Sequence, residues 1–294
     1  MNISAMKRIW PVFALLIPLT GLPAESINET REMASNGRVI VENVAGSVRF
    51  SVWEEAKIEI SGELGDDVEK VEISESAKGV HVRVLHKPDI RRFEDTNLYL
   101  RIPVAASVEV ESVSADIDLE GSEGDSIVIN TVSGDVEAGA APQRLEIHSV
   151  SGDVEFDGQT SRSMVETVSG EISLRGVNGE VTVSTVSGDV SLITDRVDRA
   201  RFESVSGDMK LDLAVNDEGR LSGDSMSGDL VLRLPANQGA SFTAQTFSGD
   251  IRSDFGETAK GSKSPGSVLE YLEGSNGASI RLESFSGDIH IRRQ

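Results

Sequence analysis

The 294-residue chain contains no cysteine. No disulfide can staple the fold even in an oxidising compartment, and no lipobox cysteine is there to carry a lipid. Aromatic residues are scarce, at 4%, whereas glycine occurs 28 times, a balance suited to many short strands joined by tight turns. Basic residues are outnumbered: 28 Lys and Arg against 49 Asp and Glu leave a formal charge of −21. A surface of that sign repels nucleic acid and anionic headgroups, so neither is expected as a partner. The four histidines, His81, His86, His148 and His290, occupy unrelated places in the repeat described below. They suggest neither a catalytic triad nor a metal centre.

The apolar run long enough to matter lies at the N-terminus. Lys7 and Arg8 precede the stretch Ile9 to Leu22, which Pro11 and Pro18 interrupt and small residues follow near Ala24. That is the layout of a secretory signal peptide over residues 1–24, with a retained N-terminal anchor as the alternative. The stretch is short for a span, no second one follows, and Ile291-Arg292-Arg293-Gln294 reads as no anchoring signal. The mature chain is expected to be exported, periplasmic or secreted, with no integral membrane span.

What the chain has in abundance is one phrase, Ser/Thr-hydrophobe-Ser-Gly-acid. It stands at Thr131–Asp135, Ser149–Asp153, Thr167–Glu171, Thr185–Asp189, Ser204–Asp208, Ser225–Asp229, Thr246–Asp250 and Ser284–Asp288, with Ser112–Asp116 a variant carrying Ala115. Its glycines, Gly134, Gly152, Gly170, Gly188, Gly207, Gly228 and Gly249, are spaced 18, 18, 18, 19, 21 and 21 residues apart, and Gly287 closes the set. A period near twenty residues means one supersecondary unit stacked on its own copies. The expected fold is therefore an all-β, single-domain β-solenoid with coils of about 18–21 residues.

Positions counted from the motif glycine locate the core. Seven before it stand Val108, Ile127, Leu145, Ser163, Val181, Ala200, Leu221, Phe242 and Ile280; five before it, residues such as Ile129, Ile147, Val165 and Phe202. Two after it come apolar residues in every copy, from Ile117 to Ile289. The hydrophobe two before the glycine is Val, Met or Phe throughout, and it too is assigned to the core. Because that assignment shifts the parity between the fifth and second positions, a corner or bulge is expected there. Gly176-Val177-Asn178-Gly179 supplies a second turn nine residues from the first, which predicts a flattened, two-sided coil, a three-sided one being the alternative. Ala200 beside Phe202, Leu221 beside Gly223 and Phe242 beside Ala244 read as volume compensation within a coil.

Every repeated position becomes a ladder in such a stack. The hydroxyls three and one before the glycine are expected to bond one another and the turn backbone; a flat array binding ice or crystalline polysaccharide is the functional alternative. The acids Asp116, Asp135, Asp153, Glu171, Asp189, Asp208, Asp229, Asp250 and Asp288 would repel at this spacing unless local bonds or cations hold them. Acceptance of turn N–H groups is the simpler account. Calcium is the cofactor alternative, with Asp135, Asp153, Asp189, Asp208, Asp229 and Asp250 as its ligands; otherwise no cofactor is implied. No catalytic residues emerge, because the acids merely follow the repeat and a site should depart from it.

Residues 25–105 carry the pattern loosely, with Val44-Ala45-Gly46 a worn copy. They are assigned to an N-terminal cap and first irregular coils, and 106–294 to the regular solenoid. Between Gly249 and Gly287 one copy is missing. A polar loop insertion is placed at 256–264, and Pro265-Gly266-Ser267-Val268 is assigned to a degenerate coil.

The Thr-Val-Ser-Gly-Asp-Val repeat, the opening Gly37-Arg-Val-Ile-Val-Glu-Asn-Val-Ala-Gly-Ser-Val and the closing Ile280-Arg-Leu-Glu-Ser-Phe-Ser-Gly-Asp-Ile resemble the bacterial β-strand-repeat family labelled "putative adhesin". The likeness covers roughly residues 30–294. It implies an exported all-β solenoid of unknown function and transfers no catalytic or binding residues. The expected role is non-enzymatic: an adhesin-like binding or scaffold protein that contacts an envelope protein or glycan through a solenoid face or edge. A carbohydrate-active β-helix enzyme and a calcium-dependent adhesion module are the alternatives.

Overall fold

Alternation decides the strands. In Arg144–Ser151, Leu145, Ile147 and Ser149 are buried while Arg144 and Ser151 are exposed, the two-residue period of a strand with one face on a core. The computed structural model describes residues 25–88, 92–260, 266–274 and 277–294. The signal segment 1–24 and part of the 256–264 insertion lie outside the described residues. Within them the chain is all-β. Long strands such as Arg144–Ser151, Arg162–Ser169 and Gly179–Ser187 stack in parallel and in register. Short strands such as Val154–Asp157 and Ile172–Arg175 form a second parallel ladder. Val177, Val197 and Val215, on the segments between the ladders, are also buried in the core. That core runs continuously from Met33 to Ile291.

The corner between the two ladders is the repeated phrase. Gly134, Gly152, Gly170, Gly188, Gly207, Gly228 and Gly287 have φ from 121° to 152°, a region that L side chains rarely enter. A Cβ on any of them would also overlap the carbonyl oxygen of the residue stacked against it, Gly170 O in the case of Gly188. Glycine is thus required twice over, by its own backbone and by its neighbour's.

At this corner the structure corrects two assignments. The hydrophobe two before the glycine does not enter the core: Val132, Val150, Val168, Val186, Val205, Met226, Phe247 and Phe285 are all 45–59% exposed. The residue three before it, Ser or Thr, points inward instead, as Ser149, Thr167 and Thr185 show. Strict alternation carries the seventh, fifth and third positions to one face, and the chain turns only after them. Among the described residues these inward hydroxyls do not bond one another. Thr131 and Thr246 donate to backbone carbonyls and Ser112 accepts from Ala115 N–H. The Oγ or Oγ1 atoms of Ser149, Thr167, Thr185, Ser204, Ser225 and Ser284 are sealed from solvent with no hydrogen-bond partner.

Stacking order also departs from chain order. The strand Met209–Ser227 pairs with Ala278–Ser286, which pairs on its other side with Ala240–Ser248. The last copy in sequence is therefore inserted between the copies of Gly228 and Gly249. Ser267–Glu273, expected in part as a degenerate coil, runs antiparallel to Ala240–Ser248. Leu269 is its one fully buried residue, which suits an end position rather than a stacking one, and its Tyr271 ring lies near Phe242, itself stacked on Phe255. The N-terminal end is built the same way. Arg38–Trp53 lies between Ser107–Glu120 on one side and Gly79–His86 with Thr96–Pro103 on the other, all parallel. Lys57–Leu64 and Val68–Ser76 then pair antiparallel to those outer strands. Gly46 pairs with Ala115, so the worn copy occupies the first corner.

Candidate functional site

The exposed hydrophobes form a stripe. Following the register, Val132, Val150, Val168, Val186, Val205, Met226, Phe285 and Phe247 occupy successive rungs. The side chains grow toward the C-terminal end, where Phe285 and Phe247 stack with ring centroids 5.0 Å apart and planes 6° from parallel. Two residues earlier on each strand, the position four before the glycine also faces out. It carries Glu166, Ser184, Glu203, Asp224, Glu283 and Gln245 along the same rungs. Between these two ladders runs an open groove of about 960 Å³, from His148 to Phe247. A smaller groove of about 320 Å³ continues it past Val150 and Val132 to Glu111.

The groove is acidic as well as apolar. Among the described residues no Lys or Arg lines it. His148 bridges Glu146 and Glu166 at 3.0 and 3.1 Å, and its hydrogen bond is the first cause holding the Glu146 carboxyl below the usual range, with Arg144 adding to it against the opposing effect of burial. Glu203 and Glu283 are paired with Arg201 and Arg281, two residues earlier on each strand. Asp224 accepts from Ser222 Oγ at 3.0 Å. The remaining histidines sit elsewhere, His81 on Glu42 and His86 on Asp67, with His290 3.9 Å from Asp288.

The acid ladder has its own geometry. Asp116, Asp135, Asp153, Asp189, Asp208, Asp229 and Asp288 each accept, through Oδ1, the backbone N–H of the acid on the adjacent rung at 2.8–3.1 Å. Asp250 ends the series as a donor to Asp288. Glu171 interrupts it, since Asp189 N–H makes no such bond to its longer side chain. The calcium candidates are thus brought into one line, and all but Asp250 spend an oxygen on backbone. Among the described residues no group of three His, Cys, Asp or Glu is placed to hold a metal ion.

A repeat built on stacked Ser-Gly-Asp corners, two parallel ladders and antiparallel end strands is matched by a family model over residues 39–219 and 214–292. The chain belongs to the Toastrack DUF4097 family. Solved structures similar to this Toastrack chain include a "putative adhesin" from Bacteroides fragilis, 12% identical over 93% of this chain and 100% of that one, with a TM-score of 0.50. Another, from Parabacteroides merdae and named likewise, is 11% identical over 91% and 96%, with a TM-score of 0.51. Identities this low establish a shared fold. No curated protein matches the chain. Among the described residues of this Toastrack protein no helix is long and apolar enough to cross a membrane.

The stripe was visible in the sequence as an invariant hydrophobe, but its apolar character alone pointed inward. The signal that finds it is parity: counting by twos from the core positions puts the Ser or Thr inside and the hydrophobe outside.

Proposed function

We propose that this Toastrack protein is a non-enzymatic, exported binding protein that holds a protein or glycan partner against the grooved face of its solenoid. The observation that carries the reading is the continuous exposed stripe ending in the stacked Phe285 and Phe247. Contiguous exposed apolar surface is costly to leave in water, and rimmed by polar groups it characterises interaction sites. The signal-like segment 1–24 supports export, and the antiparallel end strands serve as caps that shield the open ladders from chain-to-chain pairing. The names of the two structural neighbours agree with a binding role.

Cell fractionation combined with photo-crosslinking from the groove tests this. A crosslinker at Val205 is expected to capture an envelope component that the same group at Asp157, away from the groove, does not. A protein confined to the cytoplasm, or equal capture from both positions, overturns the proposal. Turnover of any polysaccharide by the purified protein would overturn its non-enzymatic part.

A further inference from the structure

The groove's dimensions restrict what fits it. Six rungs of the apolar ladder, from Val168 to Phe247, line it, and at strand spacing, roughly 4.8 Å per rung, they extend about 24 Å along the stacking axis. A ligand that engages successive rungs must present apolar groups at nearly that interval. An extended peptide places same-face side chains about 6.6–6.8 Å apart, so it falls out of step by nearly half a rung at each contact. An α-helix presents its apolar stripe once per turn, about 5.4 Å, and drifts by only about 3 Å over the whole groove. The acids that line it, with no Lys or Arg among the described residues, on a chain of charge −21, select for positive charge.

Resting on the binding role proposed above, we infer that the partner presents a cationic amphipathic helix, its apolar stripe laid along the groove and its basic residues toward the acids. The stacked aromatic pair with Met226 would act as the anchor, since large apolar side chains at one end of a groove concentrate binding energy. Glu166, bonded to His148, and Asp224, bonded to Ser222, have no arginine partner among the described residues and meet the basic face. Glu203 and Glu283 would have to exchange an internal arginine for a partner's, and so contribute less.

The test uses fluorescence anisotropy with the purified protein and a helix of about 18 residues, with leucines at i, i+3, i+4 and i+7 and lysines elsewhere. Controls are a peptide of the same composition in strict Leu-Lys alternation, a Leu-Glu helix, soluble envelope glycan fragments, and vesicles of zwitterionic and anionic lipid. The Leu-Lys helix is expected to bind best, at least about tenfold tighter than the alternating peptide, and to weaken several-fold as salt is raised. The triple variant Met226→Ser, Phe247→Ser, Phe285→Ser alters only exposed side chains, and is expected to weaken the helix at least about tenfold with the melting temperature held. Glu166→Gln with Asp224→Asn, at the other wall, should lose much of the salt dependence.

Equal binding of both Leu-Lys peptides, or helix binding indifferent to the triple variant, overturns the inference. Groove-dependent binding of a glycan in place of the helix overturns it too, while leaving the binding role intact; groove-dependent binding of a vesicle overturns both. If nothing binds in a manner the triple variant alters, the inference and the proposed function fall together.

Discussion

The Ser-Gly-acid corner obeys rules that act on single side chains. Gly188→Ala places a Cβ where φ is 146° and where Gly170 O already sits. We expect it to destabilise the protein by about 2–3 kcal/mol or more in denaturant titrations. Gly139→Ala is the control: its Cβ would meet nothing nearer than Asp157 O at 4.0 Å, and the change should stay within about 0.5 kcal/mol. In the acid ladder Glu171, one methylene longer than its neighbours, is the break. Glu171→Asp should restore the bond and raise stability by up to about 1 kcal/mol, read as a higher urea midpoint. Glu42 is held below the usual glutamate range chiefly by its paired hydrogen bonds from Arg83 at 2.6 and 2.7 Å, with His81 assisting and burial opposing. A lowered folded-state value means the stabilisation is present above the unfolded value and lost as pH falls through the folded one. Glu42→Gln should therefore be destabilising at neutral pH, and its deficit should shrink on acidification to about pH 3. The acids' role as acceptors of backbone N–H was legible from Asp following Ser-Gly. That the donor lies a whole coil away was not, because the local sequence is the same for a bond within a turn and one between turns.

Strand elements were legible for the same local reason, and their neighbours were not. Leu221 beside Gly223 reads as compensation inside one coil. In the structure the space over Gly223 is filled by Leu230 and by Leu282, the latter from the inserted C-terminal copy. The insertion has a consequence for stability. In a simple array, removing the last repeat costs one terminal coil. Here, deleting residues 277–294 would separate Met209–Ser227 from Ala240–Ser248, which both pair with the removed strand. Amide hydrogen exchange is expected to show protection lost across Ala240–Ser248 and Ser267–Glu273 as well, with 126–206 largely unaffected. Unchanged protection of Ala240–Ser248 in the truncated chain would mean that strand does not depend on the insertion.

The acid ladder runs along the whole stack, so calcium bound there would show in the stability of the whole molecule. The ladder carboxylates already accept backbone N–H groups, so the melting temperature in millimolar calcium and in chelator is expected to agree within about 1 °C. A rise with calcium would show that the free oxygens of the ladder bind it. By itself the sequence determined the repeat, the strand-forming runs within it and that a glycine turn belongs to each Ser-Gly-acid phrase. Alternation, backbone conformation and hydrogen-bond inventory are properties of a few adjacent residues, repeated until unmistakable. Only the tertiary structure decided which copy lies beside which, and hence that Phe285 stacks on Phe247 to end an exposed apolar groove. Copies of one repeat present nearly the same edge to any neighbour, so their own residues cannot rank the pairings. The long connections and antiparallel end strands break that degeneracy, and they act through contacts distant in sequence.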